Sequence, residues 1–530
     1  MTTFELVPDD ELEDAPGTAP TGPPDDRREH VAALRDRALA RWRALSRRGR
    51  TAVAAGTAVV VLAAATAAVA PALLDAHDQR LRAEAVAGMP GVVGDLSEPL
   101  AVTWEARQAG SVAAIVAGGL VAVSQGNGVR ALDAASGEVV WEHDLGGSAW
   151  CGPPPWRPAD WSVEAQSVVC VGDDGSTVTT LDAAGEVLAE RQVARSDEDR
   201  AAGLDVPAVT ATAGGAVAVL EQGPTATVPW EEGDDPAHTL EALRDTGWTA
   251  PTLRLEDAVS GEVRATVPLR LSAEHLPECG IFEDGHGPTL DLQPWVEATP
   301  SSTTVSLCGA RHSVTPSGEV VDLGDGLRSL IPLPGGGYVV QGETSEILDT
   351  DGGHLATING WVVPPMIDTE PQGPVLTMLG GTGGSAALSA VARDGETAWS
   401  HPIDSMTIPL ARVGGTVVVA GGGGVTAVDA ASGEERWRLP GLLDVEVDGS
   451  GEHVSGVVTD GTRLLLSVNR HIVVDAETGE MRADHRLVAL DLRDGTTVWQ
   501  QAWEGDLQGL AAVAGNVLAQ GGVLTGLGHP

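Results

Sequence analysis

Four cysteines and three of the histidines are the residues best suited to chemistry in this 530-residue sequence. His275-x-x-x-Cys279 and Cys308-x-x-x-His312, with His286 between them, offer thiolates and imidazoles of the kind that hold a tetrahedral zinc ion, although the spacing matches no known zinc module. The rival chemistry is oxidative. An even number of cysteines in an oxidising compartment pairs into disulfides, and Cys151 with Cys170 and Cys279 with Cys308 are the simplest pairs. Closing loops of about 20 and 30 residues would contribute roughly 3 kcal/mol each on the chain-entropy model. Disulfides are the favoured expectation. Two acidic clusters, Asp173-Asp174-Gly175 and Glu231-Glu232-Gly233-Asp234-Asp235, carry calcium-type oxygen atoms, but their glycines mark turns and they read as loop residues.

Other chemistries are excluded by residue type. There is no Gly-x-Ser-x-Gly elbow, no HExxH and no paired CxxC. Lysine is absent altogether, so all 32 basic residues are arginine, and no Walker A, Schiff-base or kinase-type lysine exists. This composition points to a high-GC genome of actinobacterial type. No catalytic, cofactor-binding or metal-binding residue is assigned.

The elements that would position any site come from a repeated phrase. It reads VRALDAASGEVVW at Val129–Trp141, VTAVDAASGEERW at Val425–Trp437 and LVALDLRDGTTVW at Leu487–Trp499. A fourth copy, LSAVARDGETAW, ends at Trp399. Apolar alternation predicts a strand. Asp133, Asp429 and Asp491 then accept from turn amides, and Gly137, Gly395, Gly433 and Gly495 supply a positive φ. The tryptophan four residues on, Trp141, Trp399, Trp437 or Trp499, suits a wedge between neighbouring sheets. Weaker copies keep the turn and lose the tryptophan: Asp182 with Gly185, Asp257 with Gly261, Gly318 alone, and Asp349 with Gly352. DAETGE at Asp475–Glu480 reads as an insertion. Eight turns spaced by about 50 residues fit blades of four strands.

The phrase apolar-Ala-x-Asp-x-x-Ser/Thr-Gly-x-x-x-Trp resembles the quinoprotein, or PQQ-like, β-propeller repeat over roughly residues 97–530, most closely in its first, sixth, seventh and eighth copies. The resemblance implies an all-β propeller, with eight blades favoured and seven or nine admissible. PLAVTWEARQ, bearing Trp104 without a preceding turn, is expected to pair with the last strands and close the ring. Function is less constrained, because the repeat serves dehydrogenases, outer-membrane assembly lipoproteins and binding proteins alike. Family enzymes place adjacent cysteines over the quinone, together with calcium ligands and a catalytic Asp. No two cysteines are adjacent here, and none of the other roles falls on a matching motif. The expectation is a non-catalytic binding or scaffold module without cofactor. The alternatives are a PQQ-dependent dehydrogenase and the ectodomain of an envelope sensor. The longest insertions, Arg191–Pro207 and Gly223–Pro251, are the first candidates for a recognition surface.

Residues 51–74 contain no charge and are rich in Ala, Val and Leu. A helix of about 24 residues spans roughly 36 Å, enough to cross a bilayer. From Arg27 to Arg50 nine arginines face two acids, whereas no basic excess follows residue 74. The positive-inside rule therefore puts the N-terminus in the cytoplasm and the propeller outside. A cleaved leader is the alternative, but Pro71 follows the Ala68-Val69-Ala70 site. The expected organisation is a disordered acidic cytoplasmic tail at 1–26, a basic juxtamembrane helix at 27–50, a single transmembrane helix at 51–74, a linker at 75–96 and the propeller at 97–530. From Asp75 onward 23 arginines face 65 acids. Such a field repels nucleic acid, and leaves the membrane and an unidentified envelope protein or ligand as partners.

Overall fold

Short apolar runs punctuated by Asp and Gly turns form antiparallel strands, and among the described residues these build nine sheets of four or five strands. The computed structural model describes residues 77–529 except 108–109, 156–159, 162, 174, 194–208, 222–227, 231–234, 285–286, 325–327, 343, 381–384, 405–406, 444–451 and 475–480. The expectations for 1–26, 27–50 and 51–74, and for DAETGE, thus lie outside the described residues. Among the described ones no helix is long and apolar enough to cross a membrane.

Blades 1 to 8 occupy 111–144, 149–192, 209–268, 295–324, 329–359, 361–404, 408–440 and 452–503, and blade 9 joins 509–528 to 101–106. The eight glycine turns predict eight blades; the structure has nine. Each of those turns links the third and fourth strands of one blade. Blade 9 instead takes its fourth strand, Ala101–Ala106, from the start of the chain, where it pairs antiparallel with Leu524–Gly528. Trp104's strand also has a turn before it. Asp95 accepts from the Ser97 amide at 2.9 Å and hydroxyl at 2.6 Å, as the repeat aspartates do, but no glycine follows to mark the place. The propeller consequently begins inside the stretch expected as a linker: Val86, Val92, Val93, Leu96 and Leu100 are all buried.

Each blade leans on the next through the residue at the tryptophan position. Trp104, Trp141, Trp399, Trp437 and Trp499 donate their indole N–H to the carbonyls of Ala134, Ala183, Ala430, Leu492 and Leu96, at 3.3, 3.0, 2.8, 2.9 and 2.8 Å. The acceptor is always the residue after the turn's first Asp, in the following blade. Trp499 reaches the start of the chain and Trp104 reaches blade 1, so the ring is closed. All eight predicted glycines have positive φ, from 69° to 93°. Four of them also lie flat under an indole: a methyl group at Gly137, Gly185, Gly433 or Gly495 would stand 2.5, 2.6, 2.7 or 2.5 Å from the ring. The glycine is thus required twice, by backbone conformation and by packing.

Between neighbouring sheets lie separate apolar cores. Leu410, Val418 and Ala427 of blade 7, for example, pack with Val457, Leu466 and Val488 of blade 8. First strands of successive blades touch one another and are therefore nearest the axis. The plugs hold the turns between third and fourth strands on one face of the ring, called here the turn face. Connections between second and third strands, and between blades, emerge on the opposite face, called here the insertion face.

Candidate interaction face

The turn face is occupied by structure. Asp133, Asp257 and Asp429 each accept from two successive turn amides, Asp133 for instance from Ala135 at 3.1 Å and Ser136 at 2.8 Å. Asp182 and Asp349 likewise each take two turn amides, and Asp491 takes that of Arg493. These bonds favour the carboxylate. The Ser260 amide and the Arg264 guanidinium hold Asp257 at about 2. Arg436, 2.5 Å away, and the Ser432 amide do the same for Asp429, also at about 2. The Ser136 hydroxyl and amide lower Asp133. The repeat residues singled out in the sequence are therefore spent on folding.

The axial edge of the turn face is partly covered as well. Glu164–Ala165 and Ile367–Asp368 run parallel to the first strands of blades 1 and 7, and Val92 bridges Thr459 of blade 8 in the same sense. Asp368 brings its carboxylate to Arg412, with Nε to Oδ1 at 2.8 Å; both side chains are at most 5% exposed. The chain also enters here, since Val93 donates to Thr459 and Gly94 to Gly515.

The insertion face is built differently. The connection of blade 3 between Glu221 and Thr252 contains helix α1, Pro236–Asp245. Asp235 caps it by accepting from Ala237 at 3.0 Å, Pro236 occupies the first turn, and Leu240 and Leu243 face inward. Of the acidic cluster at 231–235 only Asp235 lies among the described residues, and it is a helix cap. The connection from blade 3 to blade 4, 269–294, carries a short 3-10 turn, Leu276–Glu278, and the hairpin Gly280–Asp284 with Gly287–Asp291. Sequence reading missed this second insertion. The two interlock: Leu290 donates to Val228 at 3.0 Å, and Trp230, Leu240, Leu243, Leu269 and Leu276 share one core with blades 3 and 4.

A disulfide fastens this annex. Cys279 follows the 3-10 turn and is bonded to Cys308, in the turn between the second and third strands of blade 4. Cys151 and Cys170 stand opposite each other on adjacent strands of blade 2 and form the other bridge. The cysteines proposed as zinc ligands are thus consumed. His275 Nδ1 accepts instead from the Ser272 amide at 3.2 Å, and His312 lies 3.6 Å from Asp322. His286 and the loop candidate 194–207 fall outside the described residues.

Around the axis on this face three indoles are left in solvent. Trp150, Trp295 and Trp361 stand at or next to the leading ends of the first strands of blades 2, 4 and 6, and are 63%, 53% and 47% exposed. Ile408 repeats the arrangement in blade 7. The plug indoles Trp399, Trp437 and Trp499 are by contrast 7–8% exposed. Exposed aromatic area of this kind marks contact surfaces rather than cores. Two cavities open on this face. One, of about 230 Å³, is lined by Ser111, Pro154, Gln508 and Gln520. The other, of about 240 Å³, lies between blades 6 and 7 and is lined by His401, Asp404, Thr407, Thr426 and Arg438.

Comparison with known proteins finds one family model and several solved structures. A family model described as outer membrane protein assembly factor BamB matches residues 40–252 and 384–528. Among solved structures, BamB from Moraxella catarrhalis is 14% identical, covering 81% of this chain and all of that one, with a TM-score of 0.35. The quinohemoprotein alcohol dehydrogenase from Comamonas testosteroni is 12% identical, covering 84% of this chain and 79% of that one, with a TM-score of 0.34. The dihydro-heme d1 dehydrogenase NirN is 16% identical, covering 72% and 73%, with a TM-score of 0.30. No curated protein matches.

Proposed function

The chain belongs to the PQQ-like repeat family described as outer membrane protein assembly factor BamB, and from that premise we propose that it is a non-catalytic binding protein of the cell envelope whose insertion face docks a protein partner. Residues 51–74 anchor it as a single-pass membrane protein, with a cytoplasmic N-terminus and an extracytoplasmic propeller. The observation that carries the reading is the set of exposed indoles, Trp150, Trp295 and Trp361, on a face that also carries the insertions and both cavities. Two disulfides suit an oxidising compartment.

The residues present do not fit a quinone. The disulfides lie within blade 2 and between the annex and blade 4, and neither links adjacent cysteines as the family's enzymes do.

The test is site-specific photocrosslinking in intact cells. A photoreactive residue in place of Trp295 should form a discrete adduct with an envelope protein, while one in place of Glu138 on the turn face should not. Adducts only from position 138, or dye-linked alcohol or sugar oxidation after loading with quinone and calcium, would overturn the reading.

A further inference from the structure

Resting on the reading that the insertion face is the docking surface, we propose that its partner is a polypeptide segment in which arginine or lysine alternates with apolar residues. Trp295 and Glu297 are two residues apart on the first strand of blade 4, and both are exposed. A strand turns alternate side chains to the same side, so the indole and the carboxylate share one surface. That pair is the minimal receptor for a cationic side chain: the ring face attracts the cation and the carboxylate accepts its N–H groups. The cavity between blades 6 and 7 does not repeat the pair, because Arg438 lines it together with Asp404, Thr407 and Thr426. Within that cavity the Nε2 atom of His401 is buried without a hydrogen-bond partner among the described residues.

Charge selects among occupants. The annex connection 269–294 carries five carboxylates against the single Arg270, and from Asp75 onward the sequence holds 65 acids against 23 arginines. A second copy of this acidic propeller, an acidic peptide or a nucleic acid would meet like charge over most of the contact. An apolar segment without cations would leave the carboxylates unanswered. A basic, apolar segment satisfies both components. The turn face supplies the internal control, because its turns also carry exposed carboxylates, among them Glu138, Glu186, Glu262, Glu396 and Glu434, but no exposed indole among the described residues.

The experiment uses the full chain in detergent micelles and two fluorescent 12-residue probes, one alternating Arg with Leu and the other Glu with Leu, read by anisotropy. The Arg peptide should bind at least ~10-fold more tightly than its Glu twin. The double variant Trp295→Ser/Glu297→Gln should weaken it at least ~5-fold, as expected from losing a cation–π contact and an ion pair. Glu138→Gln/Glu434→Gln should change it less than ~2-fold. Thermal unfolding checks that each variant is folded. Equal binding of the two peptides overturns the proposal, as does an equal loss in the turn-face variant, which would reveal unspecific attraction to an acidic surface. Competition separates the two readings. If the position-295 crosslink persists in excess Arg peptide, docking stands and the basic partner falls. If no insertion-face position crosslinks, both fall.

Discussion

Blades 6 to 9 and blade 1 are held to their neighbours by one device, and blades 2 to 5 by several. In the first group an indole lies over the next turn and donates one N–H to its carbonyl. In the second the tryptophan is gone. Arg191 takes its place at the boundary of blades 2 and 3, donating from Nε to Ala258 at 2.9 Å and from Nη2 to Asp257 at 3.1 Å. Arg264 does so between blades 3 and 4, donating to Pro316 at 3.3 Å. At the next two boundaries Glu319 faces Gly352 and Ala356 faces Gly395, with no polar plug of that kind among the described residues. The irregular arc has what the regular one lacks: both disulfides and the annex with its own core. The boundaries beside the annex keep an arginine plug, whereas those after blades 4 and 5 carry neither indole nor arginine at that position. The same arc is free to vary its loops, and it carries the largest insertions.

The comparison is broken most directly by removing an indole from the regular arc. Trp437 is 8% exposed, packs in the core between blades 7 and 8, and lies over Gly495. Trp437→Ala should cost about 3–5 kcal/mol. Trp437→Phe keeps most of the apolar area and orphans the Leu492 carbonyl, for a cost of about 1–3 kcal/mol. Thermal unfolding measures both, and hydrogen exchange should show protection lost first in blades 7 and 8. A cost below about 1 kcal/mol for the alanine variant would mean that the plug does not hold the regular arc.

Next in size is the bridge of the irregular arc. Cys279→Ala/Cys308→Ala should lose roughly 3 kcal/mol by freeing a loop of about 30 residues in the unfolded chain. Exchange should then accelerate in helix α1 and the hairpin while blades 7 and 8 keep their protection. Uniform acceleration around the ring would show that the two arcs are not separately stabilised.

The regular arc was the legible one. Its turn glycines and indole plugs follow from residue type and spacing, because they belong to a local phrase repeated; in the irregular arc the cysteine pairs were legible from their even number alone. The pairing of the Trp104 strand with the last strands was expected, but the blade escaped the count because Asp95-Leu96-Ser97 performs its turn without glycine. The 269–294 insertion was hidden because Leu269, Leu271, Leu276 and Leu290 follow no single period; they meet only through the fold. The exposed tryptophans look like plugs in composition. A usable signal was present, however, since none of Trp150, Trp295 and Trp361 follows an Asp-x-x-x-Gly turn. That turn marks Trp141, Trp437 and Trp499 as sealing indoles, whereas Trp399 and Trp104 seal without it.

Arginine plugs sharpen the comparison at a smaller scale. Arg191 also pairs with Glu256 at 2.9 Å, with side chains 17% and 7% exposed, and Glu256 keeps a second partner in Arg254 at 2.6 Å. Arg191→Met should therefore cost about 1–3 kcal/mol, chiefly from the two carbonyls left without a donor. If the positions are equivalent around the ring, Arg191→Trp should recover part of that loss, its indole donating to Ala258 as Trp141 does to Ala183. A tryptophan variant less stable than the methionine variant would show that the irregular arc has drifted too far to accept the original plug.

The smallest effect comes from the turn carboxylates, and its sign is fixed by the structure. Asp257 and Asp429 titrate at about 2 in the folded protein, against about 3.9 for an unfolded aspartate. Groups whose folded value is depressed stabilise above the unfolded value, and that contribution fades as pH falls from about 4 towards 2. Both are near solvent, so salt screens the arginine share, whereas the amide bonds from Ser260 and Ser432 are less sensitive to it. Asp257→Asn/Asp429→Asn retains a turn acceptor but cannot titrate. Its melting temperature should lie slightly below wild type at pH 6, and the gap should narrow steadily below pH 4. A gap of constant width would mean that these carboxylates act as acceptors of amide bonds alone, with their charge contributing nothing to the turns on either arc.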